Sequence, residues 1–205
     1  MQYIENKNEI KNHIVLVDAL INRKETEKFV YQNIFNKKFK YFLFVEGGAF
    51  PALASDGLEK YLSEMNAVDF YISILTEKEC IIPYSFDASN RVAYQNLIVE
   101  LDESSYEFFL EETHNVYWEY IYYTKTLNWC GWLDKSADIG IFAFQTENLV
   151  KKFLEKFDRN LFYSPHEMVN ENWSWRMPKK EYGEAFLKNY SDLSYLKNNY
   201  KEQQN

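Results

Sequence analysis

Apolar residues recur at two different spacings along this chain, and the spacing changes from segment to segment. Over residues 9–22 they return every three or four positions, which is the pattern of an amphipathic helix. We expect this helix to bury its apolar side and to turn Lys11, Asp18 and Asn22 towards solvent. A second helical pattern follows over residues 29–34. The N-terminal segment is therefore predicted to be a helical hairpin or one interrupted helix.

Period-two alternation and short aromatic runs predict the strands. Residues 68–76 alternate apolar and polar positions, which indicates a strand with one clearly buried face. Pro83 confines the next run to a sheet edge or a strand end, because proline donates no ladder hydrogen bond. The predicted strands are residues 41–45, 68–76, 80–84, 94–101, 118–124, 129–133 and 138–144. Short polar connections join the last three, which favours an antiparallel β-meander.

Capping residues mark the starts of further helices. Asp56 and Ser104 are each followed three residues later by a glutamate, which is the spacing of a capping box. Thr146 is a good N-cap residue for a helix that runs to residue 157 with one apolar stripe. Residues 181–196 carry enough apolar positions for one or two more helices.

These elements predict an α+β fold, with a largely antiparallel sheet packed against helices. No internal repeat, low-complexity run or Pro/Gly-rich linker interrupts the chain, so a single domain over residues 1–205 is expected. Its parts are a helical N-terminal segment (1–40), a sheet-plus-helix core (41–157) and an irregular or helical C-terminal appendage (158–205).

The net charge of the chain limits the classes of molecule that it is expected to bind. The chain has 31 acidic and 23 basic residues and a net charge of −8. General nucleic-acid binding is disfavoured, because it requires Lys and Arg to neutralise phosphates. A basic partner suits an acidic protein better. The longest apolar runs, such as residues 41–45 and 139–144, are too short to cross a bilayer. Since the N-terminus also lacks a signal-peptide pattern, we expect a cytoplasmic protein.

No motif for catalysis, for a cofactor or for a metal stands out. The three histidines do not sit at metal-ligand spacing, and Gly47 and Gly48 lack the rest of a phosphate-binding loop. Cys80 and Cys130 lie far apart and read as reduced thiols. A nucleophilic pair of either cysteine with a histidine stays open, although the Trp-Cys-Gly-Trp context of Cys130 suits an inert thiol. We therefore predict no catalytic, cofactor-binding or metal-binding residue.

Aromatic and acidic residues around the predicted meander offer the strongest candidate surface. Residues 118–124 carry bulky side chains on both faces of their strand, so the strand needs two coverings. The helix at 146–157 supplies one covering, and the other comes from the N-terminal helices, from residues after 157 or from another protein. In the last case a basic protein would dock on aromatic and carboxylate side chains. The candidate partner-binding residues are Glu119, Trp129, Trp132, Asp134, Asp138, Trp173 and Trp175.

Residues 117–157 resemble the closing part of small bacterial immunity proteins from toxin–immunity pairs, such as polymorphic or contact-dependent toxin systems. The shared order is an aromatic strand (YWEYIYYT), a Trp-bearing strand (NWCGW), a turn (LDKSAD), an apolar strand (IGIFAF) and a helix (TENLVKKFLEKF). The resemblance implies a cytoplasmic, non-enzymatic bacterial protein that binds and neutralises a cognate toxin. The charge of −8 is compatible with that role, because nuclease toxins are often basic.

Two other functions remain open from the sequence. One is a small hydrolase or transferase with an aromatic-lined pocket, which would use Cys80 or a carboxylate. The other is an accessory or structural protein of a phage or mobile element that acts through self-association.

Overall fold

A computed structural model places seven strands in one sheet with helices on both faces, which confirms the predicted α+β class. It describes residues 2–22, 33–46, 57–65, 67, 69–76, 81–87, 116–134, 139–172 and 180–196. The strands are β1 (Gln2–Tyr3), β2 (Tyr41–Glu46), β3 (Asp69–Thr76), β4 (Ile81–Asp87), β5 (Val116–Tyr123), β6 (Trp129–Asp134) and β7 (Ile139–Phe144). The helices are α1 (Lys7–Asp18), α2 (Leu58–Glu64), α3 (Glu147–Leu154), α4 (Pro165–Glu167) and α5 (Lys180–Tyr190).

Two short turns flank α4. The 3₁₀ turn Arg159–Leu161 precedes it, and the π-helical turn Met168–Asn172 follows it. The strand predicted at 94–101, the helix predicted at Ser104 and most of the pattern at 29–34 lie outside the described residues.

The sheet has the strand order β1-β4-β3-β5-β6-β7-β2, and each neighbouring pair is antiparallel. The predicted meander is therefore present as β5-β6-β7. It lies inside the sheet, because β3 pairs with β5 on one side and β2 pairs with β7 on the other. The side chains of these central strands consequently need cover on both faces.

Both coverings come from the chain itself. One face of the sheet, here called the α3 face, packs against α2 and α3 and includes Trp129, Tyr122 and Phe144. The opposite face, here called the α1 face, lies under α1, residues 33–39 and α5. Its core members from the sheet are Phe42, Phe44, Tyr71, Ile121, Tyr123, Cys130, Trp132, Ile139, Ile141 and Ala143.

The C-terminal residues complete this core. Phe186 and Tyr190 of α5 are fully buried, and their ring centroids lie 5.3 and 5.4 Å from that of Phe44. Removing such aromatic side chains typically costs about 3–5 kcal/mol. Met168 and α5 thus form an integral layer over the α1 face, whereas Phe162 and Leu196 pack into the core on the α3 face.

The two sheet edges are closed differently. Along β2, backbone groups of Phe42 and Phe44 bond to Leu193, Tyr195 and Tyr163, so the chain's own C-terminal part caps this edge. At the other edge β1 pairs with β4 at Tyr84 and Ser85. Pro83 lies on β4, beside this edge, as its missing N–H requires.

Side-chain capping explains where α1 begins. The Asn6 side chain accepts hydrogen bonds from the Asn8 and Glu9 amides, so α1 starts two residues before the predicted position. Thr146 is the N-cap of α3 as predicted, although its side chain makes no capping bond. The N-cap of α2 is Gly57 rather than the predicted Asp56, which lies outside the described residues.

Candidate functional site

The structure buries four of the seven residues predicted to bind a partner. Trp129 and Trp132 are each 1% exposed, Glu119 is 7% exposed and Asp134 is 3% exposed. Side chains with so little accessible area offer no surface to another protein. The predicted aromatic and acidic patch is therefore an interior feature at these four positions.

The two tryptophans lie on opposite faces because they are three residues apart on one strand. On the α3 face, Trp129 makes an edge contact with Tyr61 at 5.4 Å and stacks on Phe70 at 6.3 Å between ring centroids. On the α1 face, the indole N–H of Trp132 donates to Glu119 Oε2 at 3.3 Å. Trp129 therefore contributes to the core through aromatic packing, whereas Trp132 also takes part in a polar cluster through its hydrogen bond to Glu119.

The other three candidates are not placed. Asp138, Trp173 and Trp175 lie outside the described residues, so their assignment as partner-binding residues stays a prediction.

A pair of carboxylates forms the first polar cluster on the α1 face. Glu119 of β5 and Asp134 of β6 are direct cross-strand partners, which places their side chains side by side on the same face. Asp134 in turn pairs with Ile139 on β7, and Ile139 pairs with Glu46 on β2, so all four positions form one cross-strand row. Two carboxylates and an indole therefore meet at one end of the sheet.

Burial changes the acidity of Glu119. Loss of water around Glu119 and the neighbouring charge of Asp134 raise the Glu119 pKa to about 8, and the hydrogen bond from Trp132 opposes this only in part. Glu119 therefore retains a proton at neutral pH. Carboxyl groups with raised pKa values serve as general acids in enzymes, and they also occur in structural networks.

A histidine, a tyrosine and a serine form the second polar cluster. The Tyr123 hydroxyl lies 2.8 Å from His13 Nδ1 and 2.9 Å from Ser73 Oγ. All three side chains are buried, and they come from α1, β5 and β3. The Tyr123 hydroxyl thus uses both of its hydrogen-bonding capacities inside the core.

Electrostatics keep this second cluster neutral. Burial, and then the positive charge of Lys125, lower the His13 pKa below its usual 6.5, whereas Glu9 acts in the opposite direction. Burial raises the Tyr123 pKa despite its hydrogen bond to Ser73. A neutral imidazole and a neutral phenol are therefore the stable forms at pH 7.

The sequence does not reveal this cluster. His13 lies in the helical pattern of residues 9–22, and Ser73 is a polar position in the alternating pattern of residues 68–76. They meet at Tyr123 across 110 and 50 residues of sequence. The available local signal was the alternation in residues 68–76, which puts Ser73 and Tyr71 on one face.

The thiol of Cys130 is a poor nucleophile. Cys130 is fully buried in the α1-face core, and burial raises its pKa, with only a partial opposing effect from Lys38. Thiolates are the reactive form of cysteine, so this environment suits an inert side chain. Cys80 lies outside the described residues.

Metal binding finds no support in the part of the chain that the structure describes. Nowhere among those residues do three His, Cys, Asp or Glu side chains group closely enough to hold an ion. His166 lies in α4, and His114 is outside the described ranges. Among the described helices, none combines the length and apolar character needed to cross a membrane.

Comparison with known proteins adds no relative. No protein-family model matches the chain, and no similar characterised protein or solved structure was found.

Proposed function

We propose that this protein is a non-enzymatic, cytoplasmic binding module that neutralises a basic protein toxin by direct association. The observation that carries the proposal is the net charge of −8. A charge of this size accelerates encounters with cationic partners and disfavours acidic ones.

The arrangement of residues 116–154 supports the choice of an immunity protein. Three antiparallel strands are followed by α3, which packs on the meander through Phe153. This is the order of elements on which the resemblance to immunity proteins rests. A meander with a closing helix occurs in many folds, so it supports the class without identifying the toxin.

Burial of the tryptophans directs recognition to the outer surfaces of the domain. Trp129 and Trp132 stabilise the core, so a partner would contact side chains that point away from the sheet. Exposed carboxylates among these include Glu5, Glu9 and Glu155. Charge attraction at such exposed positions acts mainly on the association rate.

Co-expression tests the proposal directly. The probe is a basic protein encoded beside the gene for this chain, expressed in a bacterial host with and without it. We expect that protein alone to arrest growth, and both together to allow growth and to co-elute as a complex. Isothermal titration should give a nanomolar or tighter dissociation constant. Toxicity that persists on co-expression, with no heat of binding, would contradict the proposal.

Two matched sets of variants separate charge attraction from other causes. One set neutralises exposed acids (Glu5→Gln, Glu9→Gln and Glu155→Gln), and the other neutralises exposed lysines (Lys11→Gln, Lys40→Gln and Lys60→Gln). The acid set should slow association about tenfold at low salt, whereas the lysine set should accelerate it. Equal effects of both sets, or no effect of salt, would exclude charge as the basis of recognition.

A further inference from the structure

A buried polar contact joins α1 to the sheet. His13 is only 6% exposed, and its Nδ1 lies 2.8 Å from the Tyr123 hydroxyl. That hydroxyl lies 2.9 Å from Ser73 Oγ. The three side chains form a continuous chain of hydrogen bonds from the helix to two neighbouring strands.

The groups around the imidazole favour its neutral form. The ring packs on Tyr71, with centroids 4.6 Å apart. The Lys125 ammonium lies 5.5 Å from the centroid of the same Tyr71 ring. On α1 itself, Glu9 is the charged group that favours protonation, but burial and Lys125 outweigh it.

Strand β4 also packs against α1. Its register with β3 pairs Ser85 with Tyr71 and Asp87 with Asp69. On these two strands, the acidic residue nearest to Tyr71 in the register is Asp69, two residues away on β3, where it pairs with Asp87 at the end of the ladder.

We propose that the His13–Tyr123–Ser73 chain is a pH-sensitive latch, in which neutral His13 seats α1 on the sheet and protonated His13 releases it. The neutral ring completes the hydrogen-bond chain without a counter-charge. The protonated ring can still donate to Tyr123, but it places a positive charge on a buried side chain, and the exposed cation Lys125 disfavours that charge further. Moving α1 into water relieves this unfavourable placement.

The sign follows from the lowered pKa. A histidine that resists protonation in the folded state stabilises that state above its ordinary pKa of 6.5, and the stabilisation is lost as the pH falls below this value. The latch is therefore closed at pH 7.5 and opens on acidification. Opening exposes aromatic surface of the α1 face, which includes Tyr71.

Hydrogen–deuterium exchange of the full-length protein tests the latch, with α3 as the internal reference. After correction for intrinsic rates, opening of α1 should increase by up to about tenfold per pH unit between pH 6.5 and the lowered pKa of His13, because it is coupled to uptake of one proton, and should level off below that pKa. Exchange in α3, which lies on the opposite face, should change little. Parallel changes in α1 and α3 would overturn the proposal.

Two variants assign the effect to His13. His13→Gln retains polar atoms but does not titrate, so acid should no longer increase α1 opening. Lys125→Gln alters only an exposed side chain and keeps the test valid if the His13 variant folds poorly. It should raise the His13 pKa, followed by NMR of the ring, and reduce the acid-induced opening. An unchanged response in both variants would refute the latch.

Discussion

Replacing Glu119 with glutamine isolates the effect of one buried carboxyl group on stability. Glutamine has almost the same shape, and its carbonyl can still accept the hydrogen bond from Trp132 Nε1, which is 3.3 Å from Glu119 Oε2. It differs in being unable to ionise. We therefore expect Glu119→Gln to stabilise the fold at neutral and alkaline pH and to have little effect in acid.

The size of this effect follows from the two protonation states. The folded protein holds the Glu119 pKa at about 8, against an ordinary value of 4.5. The raised pKa means that the carboxyl group supports folding fully below pH 4.5 and progressively less as the pH rises to about 8. With 1.36 kcal/mol for each tenfold change in the protonation equilibrium, the loss is about 3 kcal/mol at pH 7. Glutamine avoids that loss.

Urea denaturation measures the difference. The free energy of unfolding of the parent protein and of Glu119→Gln would be followed by tryptophan fluorescence at pH values from 4.5 to 8.5. Groups common to both proteins cancel in the difference. The difference should be near zero at pH 4.5 and should grow to about 3 kcal/mol at pH 7.

Asp134→Asn is the matched control. Burial is the larger cause of the raised Glu119 pKa, and the charge of Asp134 is the second. Removing that charge should weaken the pH dependence without abolishing it. If Glu119→Gln and the parent differ by the same amount at pH 5 and at pH 8, the reasoning about burial is refuted.

Four further predictions concern hydrogen bonding and packing in the core, each measured by urea denaturation at pH 7. Tyr123→Phe should destabilise the fold by about 1–3 kcal/mol, because it leaves buried polar partners unpaired. Tyr61→Phe should stabilise it by about 1 kcal/mol, because no described residue bonds the buried Tyr61 hydroxyl. Phe153→Ala should cost about 3–5 kcal/mol at this fully buried position. Gly131→Ala should cost about 1–3 kcal/mol, because its Cβ would lie 3.0 Å from Phe142 Cε1.

Each of these changes has its own check. The two tyrosine variants are each other's control, and effects of the same sign would contradict the assignment of partners. Asn148→Ala on the exposed side of α3 should change stability by less than about 0.5 kcal/mol. Phe142→Leu in the Gly131→Ala background should recover part of the loss, and strict additivity would argue against a clash.

The local sequence pattern was sufficient to predict the meander β5-β6-β7 and the helix α3 that follows it. The predicted strands at 118–124, 129–133 and 138–144 agree with β5, β6 and β7 to within two residues. Alternation sets the faces of such strands, and short polar turns leave little choice except antiparallel pairing. Thr146 is a residue type that is favoured at helix starts, and it is the N-cap of α3 as predicted.

Tertiary contacts were beyond the sequence pattern. Trp132 and Glu119 are buried on the α1 face, where α1 and α5 pack on the sheet, and no local signal links residues so far apart in sequence. The strand at 68–76 was expected to have one clearly buried face, yet Ser73 is also fully buried. Burial on the second face depends on a helix more than fifty residues away in sequence.

The two ionisable clusters on the α1 face oppose each other as the pH falls from 6.5 to the lowered pKa of His13. Glu119 lowers stability as the pH rises, whereas His13 lowers it as the pH falls. The parent protein can therefore show a nearly flat stability profile that hides both groups. We expect His13→Gln to reveal a stability that falls with rising pH, and Glu119→Gln to reveal one that rises over the same interval. The double variant His13→Gln/Glu119→Gln should lose both slopes in urea denaturation. A slope that survives in the double variant would assign the pH response to other residues.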